Sequence, residues 1–441
     1  MRNRDISPAS RGATATTAHL GRAAPHESTR GVCCDSFENE KMLQGAHARG
    51  VLSVCTTLFD GRPLVCSSGY DKCIKLWEYD GEQLELLHTI KEVDNEGAWF
   101  STVLTHTDDE GLLLCAGNYG RRVRVWNLDK LQEPPKLLWA SDQHTGWVRA
   151  LAASQNRHSA TASSRLYSIG CNRILGWSLD QRNLETTNYR RRCCELELYE
   201  ADDPESNDLY RSHDILTLAH DDDDEWLACG SVDGALRTFR TASLSSLETL
   251  SSRLPDHWLG HAGCRVASVV WGDGGTLLSA AYDGLVRSWR RKDSRTGGMT
   301  EAAAPCEQTN NVVATSAGSK AWSLEAEARV ASVEGGRALA LAVDSRREVA
   351  LCGTNEGALV ALRTADLSVI SQDSLPAYSK EQNDALRATV IAALPTVSSE
   401  RTQVPSGTDP AEQNAGAVCD HPIAFVVGDS DGGLHVHSVA Q

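Results

Sequence analysis

The chain has 441 residues, enough for one large core or for an array of small units. Its formal charge is −16, which argues against direct phosphate binding as the main task, because nucleic-acid affinity comes largely from Lys and Arg neutralising phosphates. No apolar run approaches the roughly 18 residues of a membrane-spanning helix, so no membrane role is expected.

Taken in order, Met1 to about Glu40 has no periodicity. Its first part is rich in Ser, Ala, Thr and Arg and poor in acid. Two readings fit: a disordered tail, or an organelle transit peptide. Residues 41–441 then repeat one unit. The first instance runs from Gly45 through His47 and V-L-S-V at Val51–Val54 to a segment ending at Trp77. The second ends at Trp126, the third at Trp177, the fourth at Phe239 and the fifth at Trp289. A later unit ends at Leu362 and the last at His437. The clearest unit is L-L-S-A-A-Y-D-G-L-V-R-S-W at Leu277–Trp289, preceded by Gly260-His261. Two apolar runs flanking Asp283-Gly284 predict a tight β-hairpin.

The units are about 40–50 residues long, with Gly-His early and Trp late, which is the period of a repeat propeller. The chain resembles the WD-repeat family from Gly45 to Val439. An all-β, seven-bladed propeller follows as the expected fold. Eight blades is the alternative, because A-W-S-L within Asn311–Val333 echoes G-W-S-L at Gly176–Leu179. Insertions are expected near 181–208, 291–328 and 396–420. The last unit shows only three strands, so Lys41–Gln44 is expected to supply its fourth and close the ring.

The resemblance implies a buried, hydrogen-bonded set of His, Ser or Thr, Asp and Trp within a blade. His47, Asp71 and Trp77 fit it, as do His261, Asp283 and Trp289, and in part His213, Ser231 and Asp233. These are expected to be structural: a buried carboxylate at a turn needs N–H donors. Gly69 and Ala281 read as replacing the hydroxyl residue, Phe239 as replacing Trp, and Gly120 and Cys171 as replacing the turn Asp. Such blades are expected to rest mainly on side-chain packing. A Ser231–His213–Asp233 catalytic reading is set aside, because the same arrangement recurs without a nucleophile.

There are 14 cysteines and no C-x-x-C pair. Cys66, Cys115, Cys229 and Cys352 lie in apolar runs at what reads as one point of the repeat, so buried thiols are expected. The vicinal pairs Cys33-Cys34 and Cys193-Cys194 are too close to bridge comfortably. The set points to a reducing compartment. No phosphate-binding glycine loop, nucleophile elbow or zinc spacing occurs. Asp429-Ser430-Asp431-Gly432 aligns with the hairpin turns and reads as a turn, not a calcium loop. No cofactor, metal or catalytic residue is therefore assigned.

What remains is surface. The resemblance places Tyr70, Tyr119 and Tyr282 at turns, and Trp147, Arg149 and Arg265 at strand starts, on one rim. Tyr, Trp and Arg are the residues enriched in binding hot spots. The expected role is a non-catalytic scaffold or adaptor, monomeric within a multiprotein complex, that binds other proteins or peptides through this rim. The alternative is an RNA-associated propeller using Arg190–Arg192 or Arg121-Arg122. The expected location is cytoplasmic or nuclear, or a plastid or mitochondrion if the tail is a transit peptide.

Overall fold

The computed structural model describes residues 38–91, 99–108, 111–154, 164–179, 192–197, 214–221, 226–241, 256–292, 321–344, 349–375, 387–395 and 423–439. The first described strand, β1, is Glu38–Leu43. Blade one holds β2 (Val51–Phe59), β3 (Arg62–Gly69), β4 (Cys73–Tyr79) and β5 (Leu84–Lys91). Blade two holds β6 (Phe100–Asp108), β7 (Gly111–Asn118), β8 (Val123–Asn127) and β9 (Lys136–Ser141). Blade three holds β10 (Val148–Ala153), β11 (Arg165–Gly170), β12 (Arg173–Ser178) and β13 (Arg192–Glu197). Blade four holds β14 (Ile215–His220), β15 (Trp226–Ser231), β16 (Ala235–Arg240) and β17 (Asp256–Leu259). Blade five holds β18 (Val266–Trp271), β19 (Thr276–Ala281), β20 (Leu285–Arg291) and β21 (Trp322–Arg329). Blade six holds β22 (Ala338–Asp344), β23 (Val349–Thr354), β24 (Ala358–Arg363) and β25 (Val369–Ser374). Blade seven holds β26 (Ala388–Ala393), β27 (Ile423–Asp429) and β28 (Leu434–Val439), and β1 completes it.

The described strands thus form seven four-stranded antiparallel sheets. Their inner strands touch in cyclic order, β2 to β6 and onward to β26, which returns to β2. Closure comes from β1 pairing antiparallel with β28, in register Lys41↔Val436, Met42↔His435 and Leu43↔Leu434. The closing segment expected just before His47 is therefore present. A-W-S-L belongs to β21, the outer strand of blade five, and starts no eighth sheet.

Two of the spans read as insertions hold a blade's outer strand: β13 lies within 181–208 and β21 overlaps 291–328. The remainder of those spans, the 396–420 segment and the tail before Glu38 lie outside the described residues, as do Arg190 and Arg191.

Burial explains the sequence pattern. The second strand of a blade is sandwiched by both neighbours, so it reads as a continuous run of small and apolar residues; all six residues of β19 are buried. Outer strands face water on one side and alternate, as in L-E-L-L-H-T-I-K of β5. Each hydrophobic cluster belongs to a pair of adjacent blades. Leu64 and Leu76 of blade one pack with Phe100, Leu112, Leu114 and Trp126 of blade two. Val54, Val65 and Trp77 pack with Val426, Leu434 and Val436, which joins blade one to blade seven.

Every inner strand shifts register after its first residue, as between Val51 and Ser53 or Val148 and Ala150. A bulge there re-aims the extra residue. In blade seven that residue is Thr389, whose hydroxyl donates to Val51 O of blade one at 3.0 Å. In blade three it is Arg149, which reaches Asp214 of blade four at 3.7 Å.

Candidate functional site

Two blades contain the complete buried set. In blade one, His47 Nδ1 lies 2.9 Å from Asp71 Oδ1, and His47 Nε2 lies 2.8 Å from Ser67 Oγ. Trp77 Nε1 donates to the same Oγ at 2.8 Å. Blade five repeats it with His261, Asp283, Ser279 and Trp289, each contact at 2.9 Å. The bond pattern fixes the tautomer. Nδ1–H donates to the carboxylate, so Nε2 accepts from serine, and serine accepts from indole. Burial lowers the pKa of both histidines despite the adjacent carboxylates, which keeps the rings neutral. Burial pushes the Asp71 carboxyl upward, but the His47 bond and the Ala48 and Cys73 N–H groups outweigh it, leaving its pKa below the ordinary value.

The hydroxyl comes from Ser67 and Ser279, two residues before the positions expected. Gly69 and Ala281 do not replace it; they make room for the ring. A Cβ on Gly69 would stand 2.7 Å from the His47 ring. Where the ring is lacking, the same register position carries a polar side chain that ties down the turn. Asn118 Oδ1 accepts Arg122 N–H at 2.9 Å, and Thr354 Oγ1 accepts Ala358 N–H at 3.0 Å. Asp429 Oδ1 accepts two N–H groups and its Oδ2 contacts His435 Nε2 at 2.7 Å.

In blade four Ser231 holds this place. It contacts Asp233 at 2.5 Å and accepts from Arg237 at 2.6 Å. Arg237 thus ties Ser231 to the blade-four turn, and burial lowers its pKa to about 10. His213 lies outside the described residues.

Blade three keeps His144, Ser168 and Trp177, with both contacts to Ser168 Oγ at 2.7 Å. Its hairpin is one residue shorter, pairing Gly170 with Arg173 directly, so no position for the turn Asp exists. That blade is not held by packing alone. The cysteines also divide: Cys66 and Cys115 share one register position, whereas Cys229 and Cys352 occupy the place of Ser67 in their blades.

Ser67, His47 and Asp71 have the connectivity of a nucleophile, base and orienting acid. They cannot serve as one. Ser67 is fully buried, His47 is 1% exposed, and the indole N–H occupies the serine oxygen. Among the described residues no group of three or more His, Cys, Asp or Glu side chains has metal-binding geometry.

The accessible candidate is the rim. In six of the seven blades the residue preceding the inner strand accepts, at its carbonyl, the N–H of that blade's hairpin turn. Tyr70 bonds Gly50 O, Tyr119 bonds Trp99 O and Tyr282 bonds Arg265 O, at 3.1, 3.0 and 2.9 Å. This backbone tie fixes the turn and the strand start on one face. Around that face, blades two to seven present Trp99, Trp147, Asp214, Arg265, Arg337 and Arg387 at the equivalent position. Blade one presents Gly50, because Ser430 O of blade seven stands 2.6 Å from where a Cβ would be.

The aromatic residues form one ladder across three blades. Tyr70 meets Trp99 edge-on at 5.5 Å, Trp99 meets Tyr119 at 5.7 Å, and Tyr119 meets Trp147 at 4.8 Å. Arg149 lies over the Trp147 ring at 5.6 Å. Tyr70 and Trp99 are 40% and 36% exposed, unusual for such large rings. A second group lies across blades five and six: Arg265 and Arg337 stand 5.9 and 4.9 Å from the Tyr282 ring centre. The sequence-derived rim residues thus fall into two groups. Trp99 was missed; the signal for it was its place directly before the inner strand.

The WD domain, G-beta repeat family model matches residues 38–78, 205–239 and 252–290, which fall in blades one, four and five. Together with the seven-sheet ring, this decides the family. The chain is a WD-repeat propeller. No curated protein matches it in sequence. Of solved structures, 1608 chains match. One is the crystal structure of Chaetomium thermophilum Raptor, with a TM-score of 0.58 and 14% identity, covering 92% of this propeller chain and 30% of that chain. The propeller chain therefore spans about a third of that protein, and the likeness is one of fold.

Proposed function

We propose that this propeller is a non-catalytic scaffold that docks partner proteins on the rim carrying Tyr70, Trp99, Tyr119 and Trp147. The observation that supports it is the unbroken edge-to-face ladder of four rings. Single aromatic residues are common on surfaces; four that hold one another are preorganised, so a partner orders few side chains on binding. The buried set of blade one stiffens the hairpin that carries Tyr70, and Asn118 ties down the turn that carries Tyr119, which suits a rigid platform.

The test compares tagged wild type with the Tyr70→Ala, Trp99→Ala, Trp147→Ala combination in affinity purification from the protein's own cells. Loss of salt-resistant partners from the variant is the expected result. Equal recovery places docking on another surface. Partners consisting only of ribonucleoprotein, released by salt, would favour RNA association instead.

A further inference from the structure

The outer edge of blade five borders a cavity. β21 ends its sheet and pairs only with β20 among the described strands. Part of its N–H and C=O groups therefore face away from β20 with no strand to receive them. Blades diverge toward the perimeter, and the wedge between blades four and five is left open: a cavity of about 380 Å³ lies between β17, β20 and β21. Its floor is three indoles. Trp258 stacks on Trp322 with ring centres 5.3 Å apart and meets Trp289 edge-on at 5.6 Å. Leu259 of blade four and Leu324 of blade five also line it, and both are exposed. We propose that an extended segment of a partner protein adds to β21 as a fifth strand and seats one bulky apolar side chain in this cavity. The site lies on other blades than the aromatic ladder and does not depend on it.

Strand addition suits this place. Residues directly opposite each other on paired strands point to the same face. A residue opposite Leu324 on the added strand therefore points to the face on which Leu324 lines the cavity. Main-chain bonds to the β21 edge supply affinity, and the cavity selects the side chain. Covering Leu259 and Leu324 removes exposed apolar surface from water.

The polar groups favour a peptide over a hydrocarbon ligand. The indole N–H groups of Trp258 and Trp322 are buried with no acceptor. Arg287, which also lines the cavity, uses Nε on Glu327 and Nη1 on Gly260 O, His261 and Asp283, and its Nη2 has no acceptor among the described residues. A site short of acceptors suits a ligand that brings carbonyl oxygens. Charge narrows the segment further. β21 presents Glu325 and Glu327, both exposed, in a chain of formal charge −16. Glu325 accepts from Ser323 Oγ at 2.8 Å and makes no ion pair among the described residues. Opposite charges on facing strands stabilise the pair, so the segment carries Lys or Arg beside its apolar anchor.

The experiment pans a displayed library of random short peptides against the full chain, after depletion on the Leu324→Glu variant. Enriched peptides are synthesised and their binding is read by fluorescence anisotropy. They are expected to carry a bulky apolar residue beside Lys or Arg. The Ala262→Phe variant, which fills the cavity from an exposed position in its wall, and Leu324→Glu should each lose about tenfold or more of the affinity. Both positions are on the surface, and wild-type melting temperatures confirm that the variants are folded. N-methylation at alternate peptide residues should abolish binding, because an added strand bonds through every second residue. The Tyr70→Ala, Trp99→Ala, Trp147→Ala combination should bind the peptides as wild type does, which separates this site from the rim. Failure to enrich any peptide overturns the assignment, as does equal binding by Ala262→Phe or tolerance of N-methylation at every position. So does loss of binding in the rim combination. Dimerisation of wild type that Leu324→Glu abolishes would give the edge to a second copy of this chain and overturn it as well.

Discussion

Ser67 donates its hydroxyl proton to His47: Oγ and Nε2 lie 2.8 Å apart, and both residues are sealed from solvent. The same oxygen accepts Trp77 Nε1–H, so one atom serves two buried partners. Ser67→Ala strands both. Leaving a buried polar group unsatisfied costs roughly 1–3 kcal/mol, so a loss of about 2–4 kcal/mol is expected in urea titration. Asp283→Ala should cost about 1–3 kcal/mol, because it unpairs His261 Nδ1 and the Leu285 N–H. Wild-type midpoints for both variants would mean that these sets do not form.

The fold was legible because it is written seven times. Period, Asp-Gly hairpins and late Trp residues all agreed, and even the closing strand followed from the three strands visible at the end of the chain. The hydroxyl of the buried set was not legible at Gly69, because the eye counts from the turn, whereas the side chain that reaches a histidine is set by strand alternation: Ser67 points to the same face as Gly69 and lies under the ring. Blade three hid a one-residue deletion at Cys171, visible only in the pairing of Gly170 with Arg173. The split of the rim into aromatic and guanidinium halves was invisible in a list of motifs. It appears once the strand starts are aligned by the register of each inner strand with its neighbour. The ladder needed Trp99, which follows a stretch without repeat marks.

His144 makes the protein sensitive to acid. Its Nδ1 has no partner and is buried, and burial, with Arg173 nearby, lowers its pKa from 6.5 to about 3. In the unfolded chain the ring takes a proton near the ordinary value; in the fold it stays neutral. Above pH 6.5 both states are neutral and this stability is fully present. It drains away as pH falls toward the folded value, on the order of a few kcal/mol in total. His47, His261 and His437 shift in the same direction. Melting curves across this range should fall more steeply for wild type than for His144→Gln. Parallel curves would show that His144 is not held neutral.

The buried cysteines should be chemically silent. Cys66, Cys115, Cys229 and Cys352 are fully buried. Burial pushes the Cys352 thiol up to about 12 and raises those of Cys115 and Cys229; a hydrogen bond with Cys55, then burial, raises Cys66. Alkylation needs the thiolate. Brief iodoacetamide treatment of the native chain, read by peptide mass spectrometry, should leave these four unmodified and label them after denaturation. Among the described residues, the half-buried Cys171 and Cys264 should be reached before these four. Native labelling of Cys115 or Cys352 at the rate of Cys264 would contradict the blade register that buries them.

Ring closure predicts an asymmetric response to truncation. The pairing of β1 with β28 covers a strand that would otherwise present free N–H and C=O groups. It also brings Leu43 against the cluster that joins blade seven to blade one. Removing residues 1–37 keeps every described strand, whereas removing Met1–Leu43 deletes β1 alone among them. The longer truncation should lose on the order of a few kcal/mol, from one strand of ladder bonds and the Leu43 contact. It should also aggregate in a concentration-dependent way, because β28 becomes an edge next to buried apolar surface. The shorter truncation should melt with the full chain. Light scattering and thermal melts of the two truncations separate these outcomes. If both melt together and stay monomeric, β1 does not close the ring, and blade seven must stand with three strands.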